Sequence, residues 1–171
     1  MEYEGPVLDM EVKGGFIELA LCDTRLCGDR LDSLLPLRYE GAHAFLLCFS
    51  VDNPGSLEDV INMWDPQIKH YGGGDVPRFL VACKKDLRKD IDTIRPLERI
   101  DEALVSAEQG NEVARAIGAT YLECSSRTGE GVREVFHRAM ESMDARIKVP
   151  KYQGRSGFHK GQYRDSGCVV L

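Results

Sequence analysis

Lys84 and Asp86 stand two residues apart, directly after an apolar run, Phe79-Leu-Val-Ala-Cys83, that ends abruptly at charge. The uncharged stretch Phe79 to Ala82 suits a strand buried on both faces, as in a parallel sheet. Ligands of open α/β sheets sit beyond the carboxyl ends of the strands, so both charges are delivered toward a crevice. Taken alone, such a pair is also what a solvated turn looks like. A second set, Ser125, Ser126 and Arg127, follows another strand-like stretch, Thr120-Tyr-Leu-Glu-Cys124, and brings hydroxyls and a guanidinium to a strand end. A third feature is the end of the chain, Cys168-Val-Val-Leu171. A thiol four residues from the terminus, two aliphatics and a final Leu form a prenylation box, with Leu favouring a geranylgeranyl chain.

The elements that must position these groups follow from periodicity. Val7 to Lys13 and Phe16 to Cys22 alternate in polarity around Gly14-Gly15, which predicts a β-hairpin with a tight turn. Ala42 to Ser50 is a continuous apolar run and so a second central strand; His43 at its start reads as a structural histidine. Pro54-Gly-Ser-Leu-Glu-Asp59 predicts a helix start with Ser56 as N-cap and Asp59 at the capping-box position. Leu57, Val60, Ile61, Trp64 and Ile68 then share one helical face. Ser106 to Ile117, closed by Gly118, predicts another helix. Val132, Val135, Phe136, Ala139, Met140, Met143 and Ile147 line one face of a last one.

With 171 residues the chain is one domain's worth. No apolar run approaches the ~20 residues of a membrane span, and the acidic start lacks the basic and apolar parts of a signal peptide. Six cysteines without a CxxC pair point to reduced cytosolic thiols rather than disulfides or zinc. Residues 146–171 carry net +5, which leaves −11 on residues 1–145. Beyond Pro150 the chain loses periodicity and turns to Gly, Gln, Tyr, Ser and basic residues, the composition of a disordered tail. The expected division is therefore a domain over 1–147 and a basic tail over 148–171.

Several of these stretches resemble one family in order. Cys83-Lys84-Lys85-Asp86 resembles the Asn/Thr-Lys-x-Asp guanine-recognition motif of small GTPases, and Glu123-Cys-Ser-Ser-Arg-Thr128 resembles their Glu-Cys-Ser-Ala-Lys-Thr segment. Asp23-Thr-Arg-Leu-Cys-Gly28 looks like an altered Asp-Thr-Ala-Gly-Gln switch. Cys48-Phe-Ser-Val-Asp-x-Pro-x-Ser-Leu-Glu58 and Trp64-x-Pro66-x-Ile-Lys-His70 are similar to the Rho branch, whose characteristic insert corresponds to a short helical patch at Leu97 to Leu104. The resemblance covers residues 3–171.

It implies a doubly wound, mostly parallel α/β sheet and a guanine nucleotide, GTP or GDP with magnesium, as cofactor. Asp86 would accept hydrogen bonds from the guanine ring N–H and amine, and a base without them would leave a charge unpaired, a mismatch worth ~10⁴-fold in selectivity. Lys84 would lie along the purine, a backbone N–H of Ser125-Ser126 would donate to the guanine oxygen, and Arg127 takes the place of the motif's Lys. Asp23 matches the magnesium-side aspartate. The catalytic Gln position is Cys27, or Gly28 if one residue is inserted, and the γ-phosphate glycine is Leu26; none orients a water.

Nowhere in the 171 residues is there a Gly-x4-Gly-Lys-Ser/Thr phosphate loop. The family's first strand, phosphate loop, first helix and the Thr of the first switch have no counterpart. That strand would lie between 16–22 and 43–49, so its absence is expected to leave two strand edges unpaired or to force them together. Negligible GTP hydrolysis is expected of the chain as given. The expected function is a membrane-anchored Rho-type signalling protein, with effectors and regulators of Rho type as partners and no nucleic acid. It would sit on the cytoplasmic face of the plasma membrane through geranylgeranylated Cys168 and the basic tail, with a cytosolic pool. Two alternatives stay open: a nucleotide-independent pseudo-GTPase, or a truncated start with a normal segment upstream of Met1.

Overall fold

A computed structural model of the chain describes residues 7–12, 15–24, 39, 41–72, 75–93, 103–143 and 167–170. Its strands are β1 (Val7–Val12), β2 (Gly15–Cys22), β3 (Ala44–Ser50), β4 (Arg78–Cys83), β5 (Thr120–Glu123) and β6 (Gly167–Val170). They form one sheet in the order β1-β2-β6-β3-β4-β5. The β1/β2 pair is antiparallel, and every other pairing is parallel. The hairpin is as expected, but Gly15 pairs with Val12 and so belongs to β2.

Alternation along β3 explains why the sheet is covered on both faces. Phe45, Leu47 and Phe49 enter one core with Leu80, Ala82, Val60, Ala114 and Ile117, whereas Ala44 and Leu46 enter the other with Leu19, Leu21, Phe79, Val81, Ala139 and Met140. The first core lies under α1 (Pro54–Asp59), α2 (Asp65–Tyr71) and α3 (Ala107–Ile117), the second under α4 (Val132–Met143). Each fully buried large apolar side chain stabilises by ~1.5–3 kcal/mol, so strands apolar on both faces belong in mid-sheet. This is the doubly wound α/β architecture that the motifs imply.

The helices show where local signals win and lose. Ser106 and Gln109 form a reciprocal capping box, with Gln109 N–H to Ser106 Oγ at 3.2 Å and Ser106 N–H to Gln109 Oε1 at 2.8 Å. At the other end Gly118 adopts φ +72°, the left-handed cap that closes the helix. The start of α1 departs from expectation, because its N-cap is Asn53 and not Ser56. Pro54 at the first turn needs no N–H partner and has a preset φ, so the helix begins before Ser56. Asn53 Oδ1 accepts from Ser56 N–H at 3.3 Å, and the Ser56 hydroxyl accepts from Ser50 N–H at 3.0 Å, tying the helix to the end of β3. A π-helical turn, Val60–Trp64, joins α1 to α2. Val60 is buried there and its neighbour Ile61 is 41% exposed, so Ile61 does not share the expected core face.

The sheet also differs from expectation in its middle. The edges of β2 and β3 are neither unpaired nor brought together, since β6 lies between them: Leu19 to Cys22 pair with Gly167 to Val170, and Ala44 and Phe45 pair with Val169 and Val170. Four residues of a tail expected to lack regular structure thus form a strand. Two β-branched valines suit that place, and the flanking N–H and C=O groups gain partners. The Leu97 to Leu104 patch lies mostly outside the described residues, as do Ile147 and the 147/148 boundary. No described helix is long and apolar enough to cross a membrane.

One polar group is buried beneath this architecture. Asp65, 3% exposed at the start of α2, binds Arg78 Nη1 of β4 at 2.9 Å and Lys69 Nζ at 2.6 Å. Removing a partner from a buried pair leaves a charge in low dielectric. Arg78→Met is therefore expected to lower the unfolding free energy in urea by about 2 kcal/mol or more, and Asp65→Leu on that background to recover most of it. A midpoint unchanged in Arg78→Met would show that Lys69 alone satisfies Asp65.

Candidate functional site

The sheet brings the two predicted loops together at the carboxyl ends of β4 and β5. Val81 pairs with Leu122 and Ala82 with Glu123, and Cys124 N–H continues the ladder to the Ala82 carbonyl at 2.9 Å. The chain then turns sharply at Lys84, whose φ of 58° and ψ of 36° make it the one non-glycine with positive φ among the described residues. A left-handed residue with a Cβ costs roughly 1–2 kcal/mol, and neighbours must hold it. Here Lys85 N–H donates to the Cys124 carbonyl at 3.1 Å, and Leu87 N–H to the Lys84 carbonyl at 3.0 Å. The turn swings Asp86 toward the second loop.

There the Ser125 hydroxyl, fully buried, donates to Asp86 Oδ1 at 2.5 Å and accepts from Thr128 N–H at 3.2 Å. Ser125 N–H is held by the Glu130 carbonyl at 2.9 Å, and Gly129 N–H returns to the Ser125 carbonyl at 2.9 Å. This tight loop depends on Gly131. Its φ is +76°, and a Cβ on it would meet the Glu123 carbonyl oxygen at 2.1 Å. Arg127 lies on the exposed side with Nη1 3.9 Å from Asp86 Oδ2, and Ser126 is exposed beside it. Asp86, Ser125, Ser126 and Arg127 thus converge. Lys84 points elsewhere, its Nζ 3.3 Å from both oxygens of Asp52 just beyond β3.

A further layer of groups was not singled out by sequence reasoning. Arg88 sends Nη1 to Glu123 Oε1 at 2.6 Å, Nε to the Val105 carbonyl at 2.9 Å and Nη2 to Tyr121 Oη at 3.4 Å, while the Tyr121 hydroxyl donates to Glu123 at 2.6 Å. Burial, with Glu123 beside it, pushes the Tyr121 hydroxyl up to about 12, so it remains a donor. Arg88 follows Asp86, and Glu123 precedes Ser125, so the cluster clamps the two loops from behind. Burial works to raise the Asp52 carboxyl, but hydrogen bonds from Ser50 and Lys84 outweigh it and hold it below the usual range. Lys85 reaches Glu130 at 2.7 Å and likewise lowers that carboxyl. The sequence signal available was opposite charge flanking each motif; spacing alone does not say which partners meet across 35 residues of chain.

The other predicted residues are not brought to this point. Asp23 follows β2 as an exposed residue. Leu26, Cys27 and Gly28 lie outside the described residues. Cys168 is in β6, in register with Ala20. Among the described residues no group of three or more His, Cys, Asp or Glu could hold a metal ion. Cys22, Cys48, Cys83 and Cys124 form no disulfide, but three of them are not scattered. Cys83 stands at the guanine-motif position against the thiols of Cys124 and Cys48. The Cys124 thiol pulls its pKa down, while Cys48 and burial outweigh that and push it up to about 12. The Cys124 thiol is raised as well, by Cys83 and by burial.

Comparison with known proteins agrees with this geometry. The Ras family profile matches residues 3–145. GTP-binding protein RHO1 of Candida albicans is 46% identical over 170 residues, which is 99% of this chain and 79% of that protein. GTP-binding protein rho1 of Schizosaccharomyces pombe is 44% identical over the same share of this chain and 81% of its own length. For GTP-binding protein RHO1 of Saccharomyces cerevisiae the identity is 41%, across 99% and 79%. With the two loops converging on Asp86 at the edge of a doubly wound sheet, these matches show that the chain belongs to the Rho branch of the Ras family of small GTPases.

Proposed function

We propose that the chain holds the base of a guanine nucleotide between the 84–86 and 125–127 loops, and acts as a prenylated, membrane-associated signalling protein with negligible GTP turnover of its own. The observation that carries the base site is the hydrogen bond from Ser125 to Asp86. It fixes the carboxylate between the loops yet uses one of roughly four acceptor sites, which leaves capacity for guanine's paired donors. Adenine lacks that pair. GTP supplies a γ-phosphate whose presence distinguishes the two states of a GTPase switch. The GTP-binding names of the relatives support guanine nucleotide as the ligand class, and regulators and effectors of Rho type as partners.

Asp23 is a single exposed carboxylate, which by itself does not make a metal site, and no phosphate loop motif occurs in these 171 residues. Leu26 and Cys27 or Gly28 stand where a γ-phosphate contact and a water-orienting side chain belong. Binding through the base alone would be weak. One observation favours the second reading, a nucleotide-independent interaction protein: Arg127 at 3.9 Å offers Asp86 Oδ2 a counter-charge without any base.

Isothermal titration of the 171-residue chain separates the two. GDP is expected to bind at least ~10-fold tighter than ADP, Asp86→Ala to erase the difference, and Ser125→Ala to weaken GDP about fivefold, near 1 kcal/mol. Equal affinities for GDP and ADP, or GDP binding indifferent to Asp86→Ala, would establish the nucleotide-independent reading.

Turnover is expected to stay at the buffer blank with magnesium present. A magnesium-dependent rate that disappears in Asp23→Ala would refute that part.

Membrane association is expected to need Cys168. A fluorescent fusion of residues 146–171 should reach membranes and Cys168→Ser should release it. Neutralising Lys148, Lys151, Arg155, Lys160 and Arg164 should weaken binding to anionic vesicles, each basic residue contributing ~1 kcal/mol near the surface. A Cys168→Ser fusion that stays on membranes would defeat the idea.

A further inference from the structure

We infer that Cys83 and Cys124 are a modification site, a dithiol that an external disulfide converts into a reversible staple between the 84–86 and 125–127 loops. The inference goes beyond the nucleotide reading and does not depend on it. It rests on β4 and β5, which lie at the edge of the sheet opposite β1 and away from β6. Three thiols collect there on one face. Alternation turns Val81 and Cys83 of β4, and Leu122 and Cys124 beside them, toward the core under α4. Cys48 of β3 stands opposite Val81 and so shares that face.

Register picks out one pair of the three. Ala82 pairs with Glu123, and two backbone bonds from the next residue of that strand bracket Cys83: Cys124 N–H donates to the Ala82 carbonyl at 2.9 Å, and the Cys124 carbonyl accepts from Lys85 N–H at 3.1 Å. Cys83 and Cys124 therefore stand opposite each other on strands about 4.8 Å apart. A disulfide needs Cα atoms roughly 4.4–6.8 Å apart, so this pair closes without a shift of the backbone. The two thiols are already in hydrogen-bond contact. Cys48 is placed less well, because its rung lies two residues before that of Cys83, a diagonal of about 8 Å that only backbone movement would bridge.

Oxidised glutathione supplies the oxidant. A thiolate of the pair attacks one glutathione sulfur, the glutathione S–S bond breaks, one glutathione thiolate leaves and a mixed disulfide forms. The second thiol gives its proton to solvent and attacks the protein sulfur of that mixed disulfide, expelling the second glutathione thiolate. The two released thiolates take up the two protons, so two protein thiols are oxidised and one glutathione disulfide is reduced. Neighbouring thiols and burial hold Cys83 and Cys124 protonated near neutral pH, which makes the exchange slow. The product joins the residue before Lys84 to the residue before Ser125, and each loop is then tethered where it leaves its strand.

The test equilibrates the folded 171-residue chain with excess oxidised glutathione, caps the remaining thiols and maps linked peptides by mass spectrometry. The expected product is a Cys83–Cys124 link that persists in Cys48→Ser, is lost in Cys124→Ser and reverts to two thiols with dithiothreitol. In the linked chain, hydrogen exchange is expected to slow ~10-fold or more at the amides of Lys85 and Cys124, whose bonds bracket the pair. No oxidation, glutathione retained on either cysteine, or a link from Cys83 to Cys48 instead would overturn the pairing. A Cys83–Cys124 link that leaves those amides exchanging as before, or faster, would overturn the staple. None of these readouts involves a nucleotide, so equal GDP and ADP affinities would remove the base site and leave this inference standing.

Discussion

Backbone pairing in mid-sheet is the constraint on which this structure turns. β2 and β3 carry apolar residues on faces that α4 and its partner helices cover, so neither strand can serve as a solvated edge. An unpaired N–H or C=O buried beneath such cover costs about as much as a lost hydrogen bond, ~1–3 kcal/mol each. A gap of one strand between β2 and β3 would leave several such groups exposed to apolar surroundings. Gly167 to Val170 supply the partners, along β2 at Leu19 to Cys22 and along β3 at Ala44 and Phe45. Position in the chain matters little to that demand.

The site proposed for the base depends on a different set of forces, in which charges work in pairs behind a polar surface. Asp86 and Ser125 lie on loops that leave neighbouring parallel strands, so the sheet sets their separation before any side chain acts. Arg88, Glu123 and Tyr121 then lock the loops to each other and to the Val105 carbonyl. All three are partly buried, which makes their hydrogen bonds worth more than surface ion pairs of the ~0–1 kcal/mol kind. Lys85 with Glu130 is of the latter kind, since Glu130 is 67% exposed. The strained turn at Lys84 is held by backbone bonds on both sides. Preorganisation here comes from behind the site.

Much of this was legible in the sequence, and the physical reasons differ from one part to another. Continuous apolar runs at 79–82 and 44–49 specify buried parallel strands, because no other element hides both faces of so short a stretch. Ser106 and Gly118 specify the ends of α3, because those signals act locally. Ser56 failed as a cap because Pro54 offered a better start two residues earlier, a competition that a motif match does not weigh. Ile61 failed because it lies within the π turn, which alters which side chains face the sheet. Asp65 and the Arg88 cluster were hidden for another reason: their partners are brought close only by the fold. The strand at 167–170 was missed because the tail's composition argues against a core, whereas its last valines answer a demand made by strands more than a hundred residues earlier.

The thiols near the site illustrate how a departure from the motif is absorbed. Where the motif it resembles has Asn or Thr, Cys83 contributes a weak hydrogen-bond donor, and it packs against the second core together with Cys124. Ala82 pairs with Glu123, so the residues that follow them, Cys83 and Cys124, come side by side where two adjacent parallel strands end. With pKa values pushed to about 12 for Cys83 and upward for Cys124, both remain protonated near neutral pH. A protonated thiol packs as a small hydrophobe and is a poor nucleophile, so the pair is a packing solution before it is a reactive one. The cost falls on the loop: what an amide or hydroxyl at 83 would have tied by hydrogen bonds, this chain ties through Lys85 N–H to the Cys124 carbonyl and through Arg88 to Glu123. The geometry of Asp86 is thereby kept by backbone and by the clamp, and the side chain at 83 is free to vary.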